Sequence, residues 1–297
     1  MKKNFNKIIA VVGPTASGKT AYSIELAKEI NGEIISADSR LVYRDMNIGT
    51  AKPTLKERQD IPHYMIDIAY PNEDYSVGLY ANEAKKYIKN ILSRGKTPII
   101  VGGTGLYLNV LLMNYDLPKV EPNYDLREQL KNEDNLYEIL QELDQETAGK
   151  IERNDRKKII RAIEIIKATG EKISATRGYG CKEFDISWIG KNFDRNELYD
   201  RINRRVDLMM EMGLLNETKT LLEKYGRINN LLYTIGYQEM ISYIDNKCSL
   251  EDAVNKLKQN TRNYAKRQLT WFRKNNEINW DCYPAKLNKK GIYETIK

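Results

Sequence analysis

The sequence predicts an α/β fold, with a parallel sheet covered by helices, a helical insertion and a helical C-terminal region. Three observations predict it. Apolar runs alternate with amphipathic stretches over residues 1–114, the pattern of parallel strands joined by crossover helices. Residues 115–183 are rich in charge and carry no strong strand. From Asp194 onward the apolar residues recur at helical spacing almost throughout. The expected division is a core made of 1–114 together with 184–282, an insertion over 115–183, and a polar tail over 283–297.

Lys7–Val12 reads as a buried first strand. Lys19–Ile30 is helical, with Ile24, Leu26, Ala27 and Ile30 on one apolar face. Glu33–Ala37 is a second strand and His63–Ile68 a short third. Ser76 has the chemistry of an N-cap for a helix running to about Ser93. Thr97–Val101 is a strong strand closed by Gly102 and Gly103. In the insertion, Leu126–Leu130, Leu136–Leu143 and Lys158–Ala168 repeat at helical spacing. Asp185–Ile189 returns to the sheet.

Composition sets the outer bounds. The chain has 297 residues, 41% hydrophobic and 30% charged, enough for a core and a solvated surface. Lys plus Arg outnumber Asp plus Glu by 48 to 41, and the pI is about 9.0, which leans toward a polyanionic partner. Cys181, Cys248 and Cys282 are far apart, with neither zinc spacing nor a disulfide framework, as expected of reduced thiols in a cytoplasmic protein. Lys2 and Lys3 precede an apolar run, but Ile8–Val12 is shorter than the roughly 7–15 residues of a signal-peptide core. No stretch approaches the roughly 20 apolar residues of a membrane span, so no membrane partner is expected. His63 is the only histidine; with no second one to pair with, it reads as structural.

Gly13, Pro14, Thr15, Ala16, Ser17, Gly18, Lys19 and Thr20 satisfy G-x-x-x-x-G-K-[ST] in full, between a buried strand and a helix, where the motif must lie. The glycines let successive backbone N–H groups turn inward around an anion. The helix start adds a positive dipole end. Lys19 supplies a mobile charge, and Thr20 offers a hydroxyl to magnesium. No strong strand ends in the Asp that would hold the magnesium of a standard NTPase. Asp67 follows only a short strand, and Ile99–Val101 runs into Gly-Gly-Thr. Asp38 lies just past the second strand, on the edge where open parallel sheets bind ligands. It suits a general base for an acceptor N–H or O–H, and equally a turn-capping aspartate. Gly102-Gly103-Thr104-Gly105 is a second backbone-rich loop aimed at the same edge.

Together with segments further along the chain, these motifs resemble one family. Gly13–Thr20, Ile34-Ile-Ser-Ala-Asp-Ser39, Val42-Tyr-Arg-Asp-Met-Asn-Ile-Gly-Thr-Ala-Lys-Pro53, Val101-Gly-Gly-Thr-Gly-Leu-Tyr107, Leu198–Asp207, Thr234-Ile-Gly-Tyr-Gln-Glu239 and Lys266-Arg-Gln-Leu-Thr-Trp-Phe-Arg273 are similar, in order, to the tRNA dimethylallyltransferases, also called tRNA isopentenyltransferases. The match spans about Lys7 to Trp280. The resemblance implies transfer of a dimethylallyl group from dimethylallyl diphosphate to the exocyclic amine of adenosine 37, beside the anticodon. It makes residues 13–20 the seat of the donor's pyrophosphate, Asp38 the base, and Thr104 a positioning group. Arg205, with Arg201 as competitor, would neutralise the leaving diphosphate. Magnesium is the implied cofactor, with Thr20 as its ligand. Many members carry Gln where this chain has Leu41, and the Cys/His cluster of the C-terminal zinc finger that eukaryotic members often add is not expected in this sequence.

For tRNA, the resemblance and the charge pattern together nominate Asp38, Ser39, Arg40, Leu41, Thr104, Arg127, Lys157, Lys158, Arg161, Tyr237, Lys266, Arg267 and Arg273. Lys256–Lys274 holds seven Lys or Arg and no acid. Within it Arg262, Lys266 and Arg273 share one helical face opposite Leu257, Ala265, Leu269 and Phe272. A second basic cluster comprises Arg153, Arg156, Lys157, Lys158 and Arg161. Such faces neutralise phosphates, and they also serve as plain solvated surfaces. Tyr43, Tyr107, Tyr237 and Trp271 are candidates to stack on loop bases, or ordinary core. The expected protein is a monomer that acts on the anticodon stem-loop. Three competing readings are a small-metabolite or nucleotide kinase using the loop for ATP, a non-catalytic RNA binder, and a prenyltransferase acting on free adenine nucleotides.

Overall fold

The computed structural model describes residues 7–115, 118, 120–176, 178, 180 and 182–282. Six strands form one parallel sheet in the order β3-β2-β4-β1-β5-β6, comprising β1 (Lys7–Val12), β2 (Gly32–Ser36), β3 (His63–Tyr64), β4 (Thr97–Gly102), β5 (Asp185–Asn192) and β6 (Asn279–Cys282). β1 lies between β4 and β5, with Ile9 opposite Ile99 and Ser187. It is apolar on both faces, as a strand covered on both sides must be: Ile8 to Val12 are almost fully buried.

The first helices of this sheet unit are α1 (Lys19–Glu29), α2 (Leu55–Arg58), α3 (Val77–Ser93) and α4 (Gly105–Leu112). Ser76 caps α3 as expected, its hydroxyl accepting from Leu79 N–H. A second compact unit occupies residues 113–181 and contains α5 (Tyr124–Lys131), α6 (Leu136–Leu143), α7 (Gln145–Ala148), α8 (Arg156–Thr169) and α9 (Ile173–Thr176). Its own core gathers Leu130, Leu136, Leu140, Ile159 and Ile163. The chain re-enters the sheet unit through β5. It then runs through α10 (Arg195–Glu211), α11 (Leu214–Tyr225), α12 (Asn229–Leu232), α13 (Tyr237–Ile244) and α14 (Leu250–Phe272).

Among the strands, two depart from the sequence expectation. The strand expected over His63–Ile68 ends at Tyr64, because Met65 (φ 63°) and Asp67 (φ 58°) turn into the left-handed region. The chain instead runs beside the segment after β2, with Asp67 N–H donating to Leu41 O and Ile68 N–H to Val42 O. The other is β6, which the sequence pattern does not predict. Asn-Trp-Asp-Cys alternates polar and apolar residues over only four positions, too short a run to mark a strand, and it is an edge strand paired with β5. The 283–297 tail, Lys2, Lys3 and Cys181 lie outside the described residues, as do the side chains beyond Trp280; Cys248 is a free thiol.

Candidate active site

The phosphate-type loop leaves β1 at Gly13, which has φ 148°. A Cβ there would stand 2.1 Å from the Lys191 carbonyl oxygen, so only glycine lets the loop pass the end of β5. Ala16 (φ 61°) and Gly18 (φ 78°) are left-handed, and this alternation of hand turns backbone N–H groups toward a common centre. α1 begins at Lys19 with no acidic residue in its first turn. The Lys19 ammonium folds back onto the loop and donates to Pro14 O at 2.6 Å. Burial, and then the nearby Arg205 charge, pull its pKa down to about 7, while Asp38 opposes them. Thr20 is exposed at the helix start.

Three side chains from late in the chain grip this loop. Arg205 of α10 donates to Thr15 Oγ1 (3.2 Å) and, from its other terminal nitrogen, to Ala51 O (3.5 Å). Arg201, one turn earlier, donates to Ala16 O (3.0 Å) and lies over the Phe193 ring. Both candidate arginines therefore touch the loop, but only Arg205 ties it to the segment that follows Asp38. Gln268 of α14 accepts from Thr15 N–H (2.8 Å) and donates to Gly103 O (3.0 Å), so one buried amide joins the two glycine loops.

The loops after β2 and β4 are joined directly. Ala37 N–H donates to Val101 O and Thr104 N–H to Ala37 O. Ser39 N–H donates to Thr104 Oγ1 at 3.0 Å. Asp38 is half-buried; Oδ1 accepts from Arg40 N–H (2.8 Å), the turn-capping contact, while Oδ2 carries no hydrogen bond among the described residues. Arg40 is steered away from it by Asn230 (3.0 Å). Tyr80 and Tyr107 stack 4.0 Å apart, and Tyr80 donates to Ser36 O. Burial, with the Asp38 charge adding, raises both phenols and pushes Tyr264 of α14 up to about 12. These hydroxyls stay protonated at neutral pH and can only share, not take, a proton from an acceptor.

The residues expected at the sheet edge, Gly13 to Thr20, Asp38, Ser39, Thr104 and Arg205, therefore come together. Others do not act as expected. Tyr237 is fully buried, its ring against Gly49 and its hydroxyl on Glu217, so it cannot stack on a base. Tyr43 and Tyr107 are also core, whereas Trp271 is 41% exposed. Lys266 and Arg267 line a cavity of about 390 Å³ with Trp271 and Lys274; Arg273 is exposed at the end of the same helix. Arg262 is held by Asn203 (2.7 Å).

Within the 113–181 unit, Arg127 and Arg161 are not spare phosphate-binding charges. Both pair with the buried carboxylate of Glu164, Arg127 through two 2.9 Å hydrogen bonds. A buried carboxylate needs such partners. Lys158 pairs with Asp155 (2.5 Å) and is otherwise exposed, as is Lys157. His63 is structural, its Nδ1 facing Ile61 O at 2.7 Å.

Gln268 and Tyr264 join the site without having been nominated by the sequence. One signal exists for Gln268: it stands at helical spacing with Ala265 and Phe272 on the buried face of α14, where a polar amide needs a buried partner. Among the described residues no helix is long and apolar enough to cross a membrane, and no group of three His, Cys, Asp or Glu side chains gathers to hold a metal.

Residues 41–275 match the family model described as IPP transferase. The chain is 48% identical over 282 residues to a tRNA dimethylallyltransferase of Bacillus cereus, covering 92% of this chain and 89% of the relative. It is 47% identical over 290 residues to one from Alkaliphilus oremlandii, covering 94% and 91%. Among solved structures, the full-length tRNA isopentenylpyrophosphate transferase of Bacillus halodurans superposes with a TM-score of 0.74 at 41% identity, covering 98% of this chain and 95% of that one. A eukaryotic dimethylallyltransferase acting on tRNA superposes at 0.82 with 31% identity, covering 96% and 77%.

Proposed function

The chain belongs to the IPP transferase family, and on that premise we propose that it is a prenyltransferase that modifies tRNA. It moves the dimethylallyl group of dimethylallyl diphosphate to the exocyclic amine of adenosine 37 in the anticodon stem-loop. The observation that carries the reading is the joining of the phosphate-type loop, Asp38 and Thr104 at one sheet edge through Gln268, Arg205 and the Ser39–Thr104 bond.

The chemistry uses each group once. The bond between the allylic carbon and diphosphate breaks as the amine nitrogen bonds to that carbon. The electron pair of the broken bond leaves with diphosphate, and the amine proton goes to Asp38 Oδ2. An adenine amine is a poor nucleophile because its lone pair is delocalised into the ring, so base assistance is worth about 10²–10⁴-fold. Backbone N–H groups of the phosphate-type loop not engaged by Gln268, together with Lys19 and Arg205, stabilise the charge that develops on diphosphate. Thr20 would hold magnesium through its hydroxyl, and the ion would neutralise phosphate charge. Lys266, Arg267, Arg273 and Trp271 supply exposed charge and an aromatic face for RNA on the sheet unit. Lys157 and Lys158 supply charge on the 113–181 unit, which we read as a second tRNA-binding element. The working form is a cytoplasmic monomer.

The test is direct. The protein is incubated with magnesium, dimethylallyl diphosphate and an anticodon stem-loop carrying an adenosine run, and the RNA is weighed by mass spectrometry. One added C₅H₈ unit is the expected result. No addition to stem-loop or full tRNA, with ATP consumed on a small acceptor instead, would establish the kinase reading.

A further inference from the structure

The segment after Asp38 is shaped by a carboxylate that belongs to no motif. Glu217, in the first turn of α11, accepts four hydrogen bonds. Its Oε2 takes Asn47 N–H (3.2 Å) and Ile48 N–H (2.8 Å); Oε1 takes Gly49 N–H (3.0 Å) and the Tyr237 hydroxyl (2.7 Å). Consecutive backbone N–H groups pointing at one anion form the kind of nest that elsewhere holds phosphate; here the occupant is internal. Tyr237 closes the nest from behind, and a Cβ on Gly49 would stand 2.5 Å from its ring. At its other end α11 holds the same segment again, through Lys224 and Tyr225 on Asp45 Oδ2 (2.7 and 2.5 Å).

The segment needs this support. Asp45 (φ 64°) and Ala51 (φ 51°) are non-glycine residues in the left-handed region, a conformation that persists only where the surroundings impose it. What the segment then presents is the Ala51 carbonyl, which accepts from one terminal nitrogen of Arg205 while the other reaches Thr15 Oγ1. A path of direct contacts thus runs from Glu217 through residues 47–51 to Arg205 and the phosphate-type loop.

We propose that Glu217 is a positioning residue for the transfer reaction, fixing the backbone of residues 47–51 so that Ala51 O aims Arg205 at the diphosphate. This rests on the prenyltransferase reading above. Glu217→Gln keeps the volume but replaces one acceptor oxygen by an NH₂ group, so four donors meet a single acceptor atom. The test is a double-mutant cycle on kcat with Arg205→Lys, which keeps a charge but loses the fork that spans Thr15 and Ala51. Glu217→Gln is expected to lower kcat about tenfold in the parent and less than about twofold in the Arg205→Lys background, the non-additivity of residues acting as one unit. Amide hydrogen exchange at residues 47–49 should accelerate while β1 and β4 exchange as in the parent. Tyr237→Phe removes one donor and keeps the ring, so it serves if Glu217→Gln folds poorly; its smaller loss of kcat should also shrink in the Arg205→Lys background. Equal losses in both backgrounds, or parental kcat in Glu217→Gln, would overturn the proposal. A parent protein with no transfer to RNA would overturn the prenyltransferase reading itself, and this assignment with it, and is told apart by the parent's own turnover.

Discussion

Gln268 offers the sharpest test of how the site is held together. Its side chain is 6% exposed, and it contributes one acceptor to Thr15 N–H and one donor to Gly103 O. Gln268→Met preserves length and most of the volume while removing both. Each backbone group left unpaired in a buried setting costs about 1–3 kcal/mol, so the pair should cost about 2–6 kcal/mol. At roughly 2–4 °C per kcal/mol for a chain of this size, the thermal midpoint should fall by roughly 4–24 °C. Loss of register between the two glycine loops should also slow turnover by about 10²-fold, the scale of a 1 Å misplacement. Gln268→Glu separates the two bonds: it keeps the acceptor for Thr15, loses the donor for Gly103, and places a negative charge beside the phosphate-type loop. Its donor KM should rise more than that of Gln268→Met. A Gln268→Met protein that melts with the parent and turns over at its rate would refute the claim that this amide couples the loops.

Three further outcomes are expected from the charges. The folded pKa of Lys19 lies near 7, below its ordinary 10.5, so above pH 7 part of the free protein lacks that proton. Pyrophosphate binding restores the charged form, so calorimetry at pH 8 in buffers of different ionisation enthalpy should show proton uptake, and Lys19→Met should abolish it. Glu33 is buried and paired with Arg94 and Lys96, chiefly the Arg94 hydrogen bonds holding it at about 2, below its ordinary 4.5. Its contribution to stability is present above pH 4.5 and lost as pH falls toward 2, so Glu33→Gln should melt lower than the parent at pH 7, with the gap narrowing in acid. Replacing Lys266 and Arg273 by Ala should flatten the salt dependence of stem-loop binding by about 0.7–0.9 in the log–log slope per lost phosphate contact; an unchanged slope would return this face to plain solvent exposure.

What could be read from the sequence and what could not divide along a physical line. The phosphate-type loop was legible because its backbone conformation dictates residue types locally, with glycine at φ 148° and 78° and Lys at the helix start. Asp38 was legible because a strand end fixes where the next residue lies. Gln268 and Glu217 were not, because their partners are 253 and about 170 positions away and an amide or carboxylate on a helix carries no local mark of them. Tyr237 stays open in the sequence for a related reason: an aromatic in a motif is compatible with both a stacking face and a core, and the decision belongs to Gly49 and Glu217. Arg127 and Arg161 read as surface charge in the sequence, and only the fold brings the buried Glu164 between them. β6 escapes the sequence because an alternation of four residues is too short to stand out, and the strand is completed by pairing with β5.

The central claim is that Asp38 takes the amine proton at the edge where the diphosphate is gripped. Single-turnover prenylation of the stem-loop, followed by mass, should be measured for Asp38→Asn beside the parent, with donor affinity determined separately. The account requires donor binding close to the parent's and a chemical step slower by about 10²–10⁴-fold. A parental rate in Asp38→Asn would contradict it and leave Asp38 as the cap of its own turn.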